Sequence, residues 1–145
     1  MNPKRQTIHF EKKLIDKDAL KVLKVLHNAK FEAYLVGGCI RDLLLGQRPK
    51  DFDVTTNATP EQIHKLFKRS RLIGRRFPLV HIMFSARKYI EVATFRASHS
   101  HLNKGSVARD NHYGTLKEDV FRRDFTINAL YYDTKKSQVI DFVDG

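Results

Sequence analysis

Apolar positions recur along the chain with two periods, one typical of helices and one typical of strands. From Asp16 or Lys17 to about Lys30 they lie three or four residues apart, which predicts an amphipathic helix. Phe31–Val36 is a short apolar run and predicts the first strand. The pair Gly37–Gly38 then predicts a turn into a short helix over Cys39–Leu45, which Gly46 ends.

Beyond residue 50 the pattern predicts further helix starts and several strands. Thr59, Pro60 and Gln62 form a capping box with proline at the first helical position, and a second capping box begins at Thr115. Short runs rich in β-branched and aromatic residues predict strands between and after these helices. The predicted strands cover Asp51–Val54, Arg71–Ile73, Leu79–Phe84, Tyr89–Thr94, Ala129–Asp133 and Val139–Phe142.

The length of 145 residues suits one domain, and the N-terminal stretch lies outside the periodic pattern. Because that stretch is basic and poorly periodic, we expect a flexible basic arm over residues 1–15 and a folded domain over residues 16–145. The net charge of +11 favours nucleic acid or an anionic membrane as a partner. No apolar run approaches the roughly 20 residues needed to span a bilayer. A single cysteine excludes an internal disulfide framework, so we expect the protein to lie in the reducing cytoplasm. Because a long apolar run is missing, we expect no membrane partner.

Two carboxylates stand at one end of a predicted strand. In an extended strand, side chains alternate between faces, so Asp51 and Asp53 project to one side while Phe52 and Val54 turn towards the core. The repulsion between two neighbouring carboxylates is tolerable when a divalent cation sits between them. Hard oxygen ligands, with water and phosphate completing the shell, are what Mg²⁺ prefers.

The double glycine upstream suits the binding of an anion. Gly37 and Gly38 have no side chains to keep a phosphate away from the backbone N–H groups. A helix that begins at about Cys39 would point its positive end at the same place. A phosphate cradle beside metal-binding carboxylates indicates nucleotide chemistry.

Glu91 lies among apolar strand residues and allows two interpretations. One is a solvent-facing strand position, with Ile90 and Val92 on the core face. The other is a third carboxylate on the metal side, opposite Asp51 and Asp53, and we favour it.

Two other reactive side chains are best interpreted as structural. We interpret Cys39 as a small buried residue and His81 as a hydrogen-bonded sheet residue.

Three motifs resemble the head (palm) domain of the class II RNA nucleotidyltransferases, the family of bacterial poly(A) polymerases and tRNA CCA-adding enzymes. They are Gly37–Asp42, Asp51–Val54 and Arg122–Ala129, and the resemblance runs from about Tyr34 to the end of the chain. Their order and spacing are far more specific than a lone Asp-x-Asp. The segment Ile73–Phe84, with Glu91–Arg96 after it, looks more like the bacterial poly(A) polymerases.

The resemblance implies a mixed α/β (α+β) fold of the polymerase-beta-like kind, with a small, largely antiparallel sheet backed by helices. It implies metal-dependent, template-independent transfer of AMP from ATP to RNA 3′ ends, with two Mg²⁺ ions, or Mn²⁺ in their place. Asp51 and Asp53 would hold the metals, and Glu91 would be the third catalytic carboxylate. The expected nucleotide-binding residues are Gly37, Gly38, Arg41, Asp42, Arg122, Arg123, Asp124 and Asn128.

Other basic residues are candidates for contact with RNA. Residues 95–111 lack periodicity and carry several cations, so we expect a mobile basic loop near RNA or nucleotide. The turn before the carboxylate strand and the turn after residue 73 are also basic. The candidate RNA-binding residues are Lys50, Arg75, Arg76, Arg96 and Arg109.

The length departs from the family pattern. Similar members continue into helical neck, body and tail domains, of which the neck selects the incoming base and helps to grip RNA, and we expect those domains to be absent here. Two alternatives stay open: a tRNA CCA-adding enzyme, which shares every catalytic residue named above, and a non-catalytic fragment that binds RNA or nucleotide. The oligomeric state does not follow from the sequence.

Overall fold

In the part of the chain that the structure describes, the backbone forms eight strands and three complete α-helices. The computed structural model describes residues 4–75, 78–95, 116, 119 and 130–141. The strands are β1 (Lys4–Thr7), β2 (Ala33–Val36), β3 (Asp53–Thr56), β4 (Ser70–Ile73), β5 (Leu79–Met83), β6 (Tyr89–Thr94), β7 (Leu130–Asp133) and β8 (Gln138–Asp141). The helices are α1 (Lys17–Asn28), α2 (Gly38–Leu44) and α3 (Pro60–Leu66), with a 3-10 turn over Lys12–Leu14.

All eight strands belong to one sheet, in the order β1-β8-β7-β2-β3-β6-β5-β4. Only β3 and β6 run parallel among the described strands, and every other pairing is antiparallel. A parallel pair needs a crossover connection, which α3, β4 and β5 supply here. The predicted mixed, largely antiparallel sheet backed by helices is confirmed.

The main core lies between α1 and one face of the sheet. The predicted apolar stripe of α1 is buried at Ala19, Val22, Leu23 and Leu26. It packs in one cluster with the residues of the central strands that point to the same face, including Leu35, Val54 and Val92. Asp16 caps α1 by accepting a hydrogen bond from the Asp18 N–H, so the helix begins where the periodicity predicts.

A smaller cluster covers the opposite face of the sheet. Val36, Tyr131 and Ile140 are buried together there, with Tyr34 and Leu116 packed against them. The Tyr131 hydroxyl donates a 2.8 Å hydrogen bond to the buried Asp119 carboxylate. Both faces of the central strands are therefore covered, which explains why Thr55 and Thr56 are buried in β3 as well as Val54.

The predicted capping box at Thr59 and the predicted helix end at Gly46 are confirmed, whereas the second capping box, at Thr115, lies outside the described residues. Thr59 and Gln62 exchange both hydrogen bonds of a capping box at the start of α3. Gly46 follows α2 with φ of 72°, a backbone conformation that glycine adopts without strain. No helix in the described ranges is both long and apolar enough to cross a membrane.

Two elements differ from expectation. Over residues 1–15, where we expect a flexible arm, Lys4–Thr7 forms strand β1 and pairs with β8 at the border of the sheet. All four β1 side chains are exposed, so backbone hydrogen bonds hold this strand in the sheet. Because the strand has no apolar pattern, the sequence does not predict it. The carboxylate strand begins at Asp53, which leaves Asp51 in the segment that enters it.

Candidate active site

The predicted carboxylates lie at one end of the sheet, which we call the carboxylate end. Here β2 finishes while β3 and β6 begin, and the strand register pairs Val36 with Asp53 and Asp53 with Glu91. Residues paired directly across neighbouring strands project to the same face. Asp53 and Glu91 therefore point together to the face opposite the main core. The predicted position of Glu91 beside Asp53 is confirmed.

Asp51 completes this acidic group from the segment before β3. It is exposed, whereas Phe52 and Val54 are buried, as the alternation predicts. Carboxylate oxygens open to solvent suit a hard divalent cation, which keeps water and phosphate among its ligands. Within the described ranges, no three side chains from His, Cys, Asp and Glu are grouped to hold one ion. The role of Asp51 and Asp53 as metal ligands stays a prediction.

The glycine turn lies next to Asp53. Gly37 has φ of 90° and ψ of −149°, which only glycine adopts readily, and α2 begins at Gly38. A Cβ atom added at Gly38 would lie 3.8 Å from Arg41 Nη2, an ordinary contact, so Gly37 carries the stricter requirement. The Arg41 guanidinium in turn lies 3.6 Å from an Asp42 carboxylate oxygen. The glycine turn therefore lies beside the start of β3, and its binding of a nucleotide phosphate stays a prediction.

A large cleft opens on the other side of the carboxylates, and we call it the basic cleft. Its volume is about 930 Å³, and among the described residues six basic and four acidic side chains line it. The acidic ones are Asp16, Asp51, Asp53 and Glu91, and the basic ones are Lys13, Lys17, Arg48, Lys50, Arg87 and Lys88. Lys50 therefore lies in the same cleft as the carboxylates, and its contact with RNA stays a prediction.

An ion-pair clamp holds one wall of the basic cleft. Lys88 Nζ, from the turn between β5 and β6, lies 2.7 Å from Asp16 Oδ2 and 2.8 Å from Asp18 Oδ2 at the start of α1. Burial opposes ionisation of Asp16, but its hydrogen bonds with Lys88 and with the Asp18 N–H lower its pKa overall. Hydrogen bonds from the Lys88 ammonium group to the Asp16 and Asp18 carboxylates raise the pKa of Lys88.

The two pKa shifts define the pH range of the clamp. The stabilisation from Asp16 is lost as pH falls through its lowered pKa, and that from Lys88 is lost as pH rises through its raised pKa. The clamp is therefore fully charged across the neutral range. It fixes the turn that carries Arg87 against the helix that carries Lys17.

Glu91 is held from the neighbouring strand. His81 lies opposite it in the register of β5 and β6, and His81 Nε2 is 3.2 Å from Glu91 Oε1. The His81 ring stacks on Tyr89 with centroids 4.1 Å apart and planes 13° apart. The interpretation of His81 as a hydrogen-bonded sheet residue is confirmed, and its partner is the candidate catalytic carboxylate.

Cys39 is buried at the start of α2, and its thiol donates a 3.4 Å hydrogen bond to the Val36 carbonyl oxygen. Burial is the main cause that raises the pKa of Cys39 to about 12. At pH 8 only about one thiol in 10⁴ is then ionised, whereas an ordinary cysteine is ionised to roughly a quarter.

We therefore expect iodoacetamide at pH 8 to leave the native protein unmodified for times that alkylate the denatured chain completely. Intact-mass spectrometry of the two samples measures this difference. Equal rates of alkylation in the native and denatured chain would contradict the buried position of Cys39.

Of the remaining predicted site residues, Arg75 lies at the far end of the sheet, and the others lie outside the described residues. Arg75 lies in the turn between β4 and β5, at the end of the sheet away from Glu91. This position separates it from the carboxylates, and its RNA contact stays a prediction. Arg76, Arg96, Arg109, Arg122, Arg123, Asp124 and Asn128 lie outside the described residues.

The sequence does not predict the wall of the basic cleft that Lys17, Arg87 and Lys88 form. Lys17 lies at an ordinary helix start, and Arg87 and Lys88 lie in an ordinary turn, so none of the three belongs to a motif. Lys88 and Asp16 are 72 positions apart, so no local pattern could have related them.

A mixed sheet that carries paired carboxylates beside a glycine turn defines a nucleotidyltransferase head domain. The comparisons with known proteins agree with this class. The profile of the Poly A polymerase head domain family matches residues 33–145, and the chain belongs to this family.

The chain is also similar to part of individual relatives and of solved structures. Over 139 residues, the chain is 55% identical to Poly(A) polymerase I of Haemophilus influenzae, covering 89% of the chain and 30% of that relative. The CCA-adding enzyme of Bacillus stearothermophilus in complex with CTP has a TM-score of 0.70 at 32% identity, over 87% of this chain and 29% of that one. The Thermotoga maritima CCA-adding enzyme complexed with tRNA_CCA has a TM-score of 0.64 at 27% identity, over 94% and 33%. The chain thus spans about a third of the length of these relatives.

Proposed function

We propose that this chain is the catalytic head of a template-independent poly(A) polymerase, which transfers AMP from ATP to the 3′ end of RNA. The observation that carries the proposal is the register of β3 and β6, which sets Glu91 beside Asp53 next to the glycine turn. In the reaction, the RNA 3′ oxygen forms a bond to the α-phosphorus of ATP. The bond from that phosphorus to the bridging oxygen breaks, pyrophosphate leaves, and the hydroxyl proton is released.

The side chains at the carboxylate end suit this chemistry. Asp51 and Asp53 are the residues that would hold divalent cations, Mg²⁺ or Mn²⁺. Such cations would neutralise the developing phosphate charge and acidify the attacking hydroxyl. Glu91, oriented by His81, completes the acidic group. Gly37, Gly38 and Arg41 would position the triphosphate, so this chain contributes mainly placement and charge.

Sequence identity favours poly(A) addition over CCA addition. Identity to the Haemophilus influenzae poly(A) polymerase is 55%, against 40% to the CCA-adding enzyme of Lactobacillus helveticus. The net charge of +11 suits an RNA substrate for either activity. We assign the activity to RNA processing in the cytoplasm. CCA addition is the second candidate, because the solved structures with the same fold are CCA-adding enzymes.

Primer extension tests the proposal. The chain is mixed with Mg²⁺, with each nucleoside triphosphate separately, and with either an oligo(A) primer or a tRNA that lacks its terminal CCA. We expect extension of oligo(A) with ATP alone, and loss of extension when a chelator removes the metal.

Other results would contradict poly(A) addition. CTP and then ATP added to the tRNA, with no further extension, would indicate CCA addition. RNA binding that is indifferent to Mg²⁺, without extension of either substrate, would indicate a non-catalytic RNA-binding fragment.

A further inference from the structure

The functional groups at the carboxylate end follow one another along the strand order. Gly37 ends β2, Asp53 begins β3, Glu91 lies near the start of β6, and Arg87 lies in the turn between β5 and β6. The carboxylates therefore separate two regions. The glycine turn lies on one side of them, and the turn that carries Arg87 lies on the other.

The basic cleft belongs to the second region. Its lining combines the carboxylates with the start of α1, the Arg48–Lys50 segment and the Arg87–Lys88 turn. None of the residues from Gly37 to Asp42 contributes to that lining. The described part of the chain thus offers two distinct approaches to the carboxylates.

The reaction also needs two approaches. In phosphoryl transfer, the attacking and leaving oxygens lie roughly in line on opposite sides of the phosphorus. If the triphosphate lies over the glycine turn, pyrophosphate leaves on that side, and the RNA 3′ end must arrive from the other. The basic cleft is the space on that other side.

Charge in the cleft favours a polyanion. Lys88 is neutralised by Asp16 and Asp18, and Lys13 lies 3.4 Å from Glu11. Among the described residues, Lys17, Arg48 and Arg87 have no carboxylate within ion-pair distance, and all three are exposed. The Lys88 clamp and a hydrogen bond from the Arg87 N–H to Ser85 Oγ fix the turn. The charged groups of Lys17, Arg48 and Arg87 are therefore available to bind successive phosphates of a nucleic-acid strand.

We propose that Lys17, Arg48 and Arg87 form a subsite for the backbone of single-stranded RNA just upstream of its 3′ end. This subsite rests on the proposed function and extends it to residues that no motif marks. Lys50, at the rim of the same cleft, would contact the same strand nearest the carboxylates. The contacts are to phosphates, so the subsite takes RNA without regard to base.

The test measures binding of a fluorescent oligo(A) of about 12 nucleotides by anisotropy, over a series of salt concentrations and without Mg²⁺ or ATP. The variant is Lys17→Gln with Arg87→Gln in the full chain. The matched control is Lys135→Gln with Lys136→Gln, which removes the same charge from the turn between β7 and β8, at the other end of the sheet. Affinity for ATP is measured for all three proteins.

We expect the cleft variant to bind oligo(A) about tenfold more weakly at ~0.1 M salt. We also expect the slope of log affinity against log salt to become shallower by about 0.7 for each cation removed. Affinity for ATP should stay within about twofold in both variants. The control variant should keep its oligo(A) affinity and slope within a similar margin.

Three results would overturn the subsite. Equal losses in both variants would mean that net charge alone attracts RNA. A fall in ATP affinity, with oligo(A) binding intact, would assign the cleft to the triphosphate. No change in either affinity would mean that Lys17 and Arg87 bind neither oligo(A) nor ATP. Because binding is measured without catalysis, these outcomes are independent of the primer-extension result, which decides the proposed function.

Discussion

Asp53→Asn is expected to lower the rate of AMP transfer by ~10³-fold or more while the fold stays intact. The substitution keeps the size of the side chain and removes the negative charge at the start of β3. Stabilisation of transition-state charge by bound cations amounts to several kcal/mol, and each 1.36 kcal/mol is tenfold in rate. The rate of oligo(A) extension with ATP measures the effect. Thermal unfolding by circular dichroism shows whether the fold is retained.

Glu61→Gln is the matched control for this experiment. Glu61 is an exposed carboxylate in the first turn of α3, which follows the end of β3 away from Asp53. Its loss removes the same charge from the chain and should leave the rate within about twofold. Full activity of Asp53→Asn, or equal losses in the two variants, would contradict the assignment of the carboxylate end as the active site.

Leu35→Ala is expected to destabilise the domain by ~2–5 kcal/mol. Leu35 is fully buried in β2, between β3 and β7 at the centre of the sheet, so its loss leaves a cavity that neighbouring strands cannot fill. For a domain of this size, the melting temperature should fall by roughly 10 °C. Thermal or urea unfolding measures the change.

Leu45→Ala provides the comparison with identical chemistry. Leu45 follows α2 and is 66% exposed, so its truncation creates no cavity and should change stability by less than ~0.5 kcal/mol. A similar loss of stability in both variants would mean that Leu45 is covered in solution. No loss in Leu35→Ala would contradict the central position of β2.

The sequence predicts most elements because their signals are local. The stripe of α1, the capping box at Thr59 and the alternation in β6 each depend on residues within a few positions of one another. The family resemblance and the isolation of Glu91 among apolar residues predict a third carboxylate opposite Asp51 and Asp53. The parallel register places Glu91 beside Asp53, and its role at a metal stays a prediction.

What the sequence left out depends on contacts between distant segments. Strand β1 has no apolar face, and it exists because β8, from the other end of the chain, offers backbone partners. The wall of the basic cleft that contains Lys17 and Arg87 forms because Lys88, in the β5–β6 turn, pairs with Asp16 and Asp18 at the start of α1. The hydrogen bond from His81 to Glu91 depends on the register of a hairpin, which one residue of slippage would abolish.

The parallel pairing of β3 with β6 also bears on how the active site is assembled during folding. The antiparallel pairs β4–β5 and β5–β6 connect neighbouring segments, so these hairpins close short loops and are favoured early. Asp53 and Glu91 come together only when the whole crossover through α3, β4 and β5 has docked, a contact of long sequence separation. We therefore expect His81 to meet Glu91 before Asp53 does. The acidic pair is thus a property of the completed sheet, and metal binding that depends on this pair would begin only after the crossover has docked.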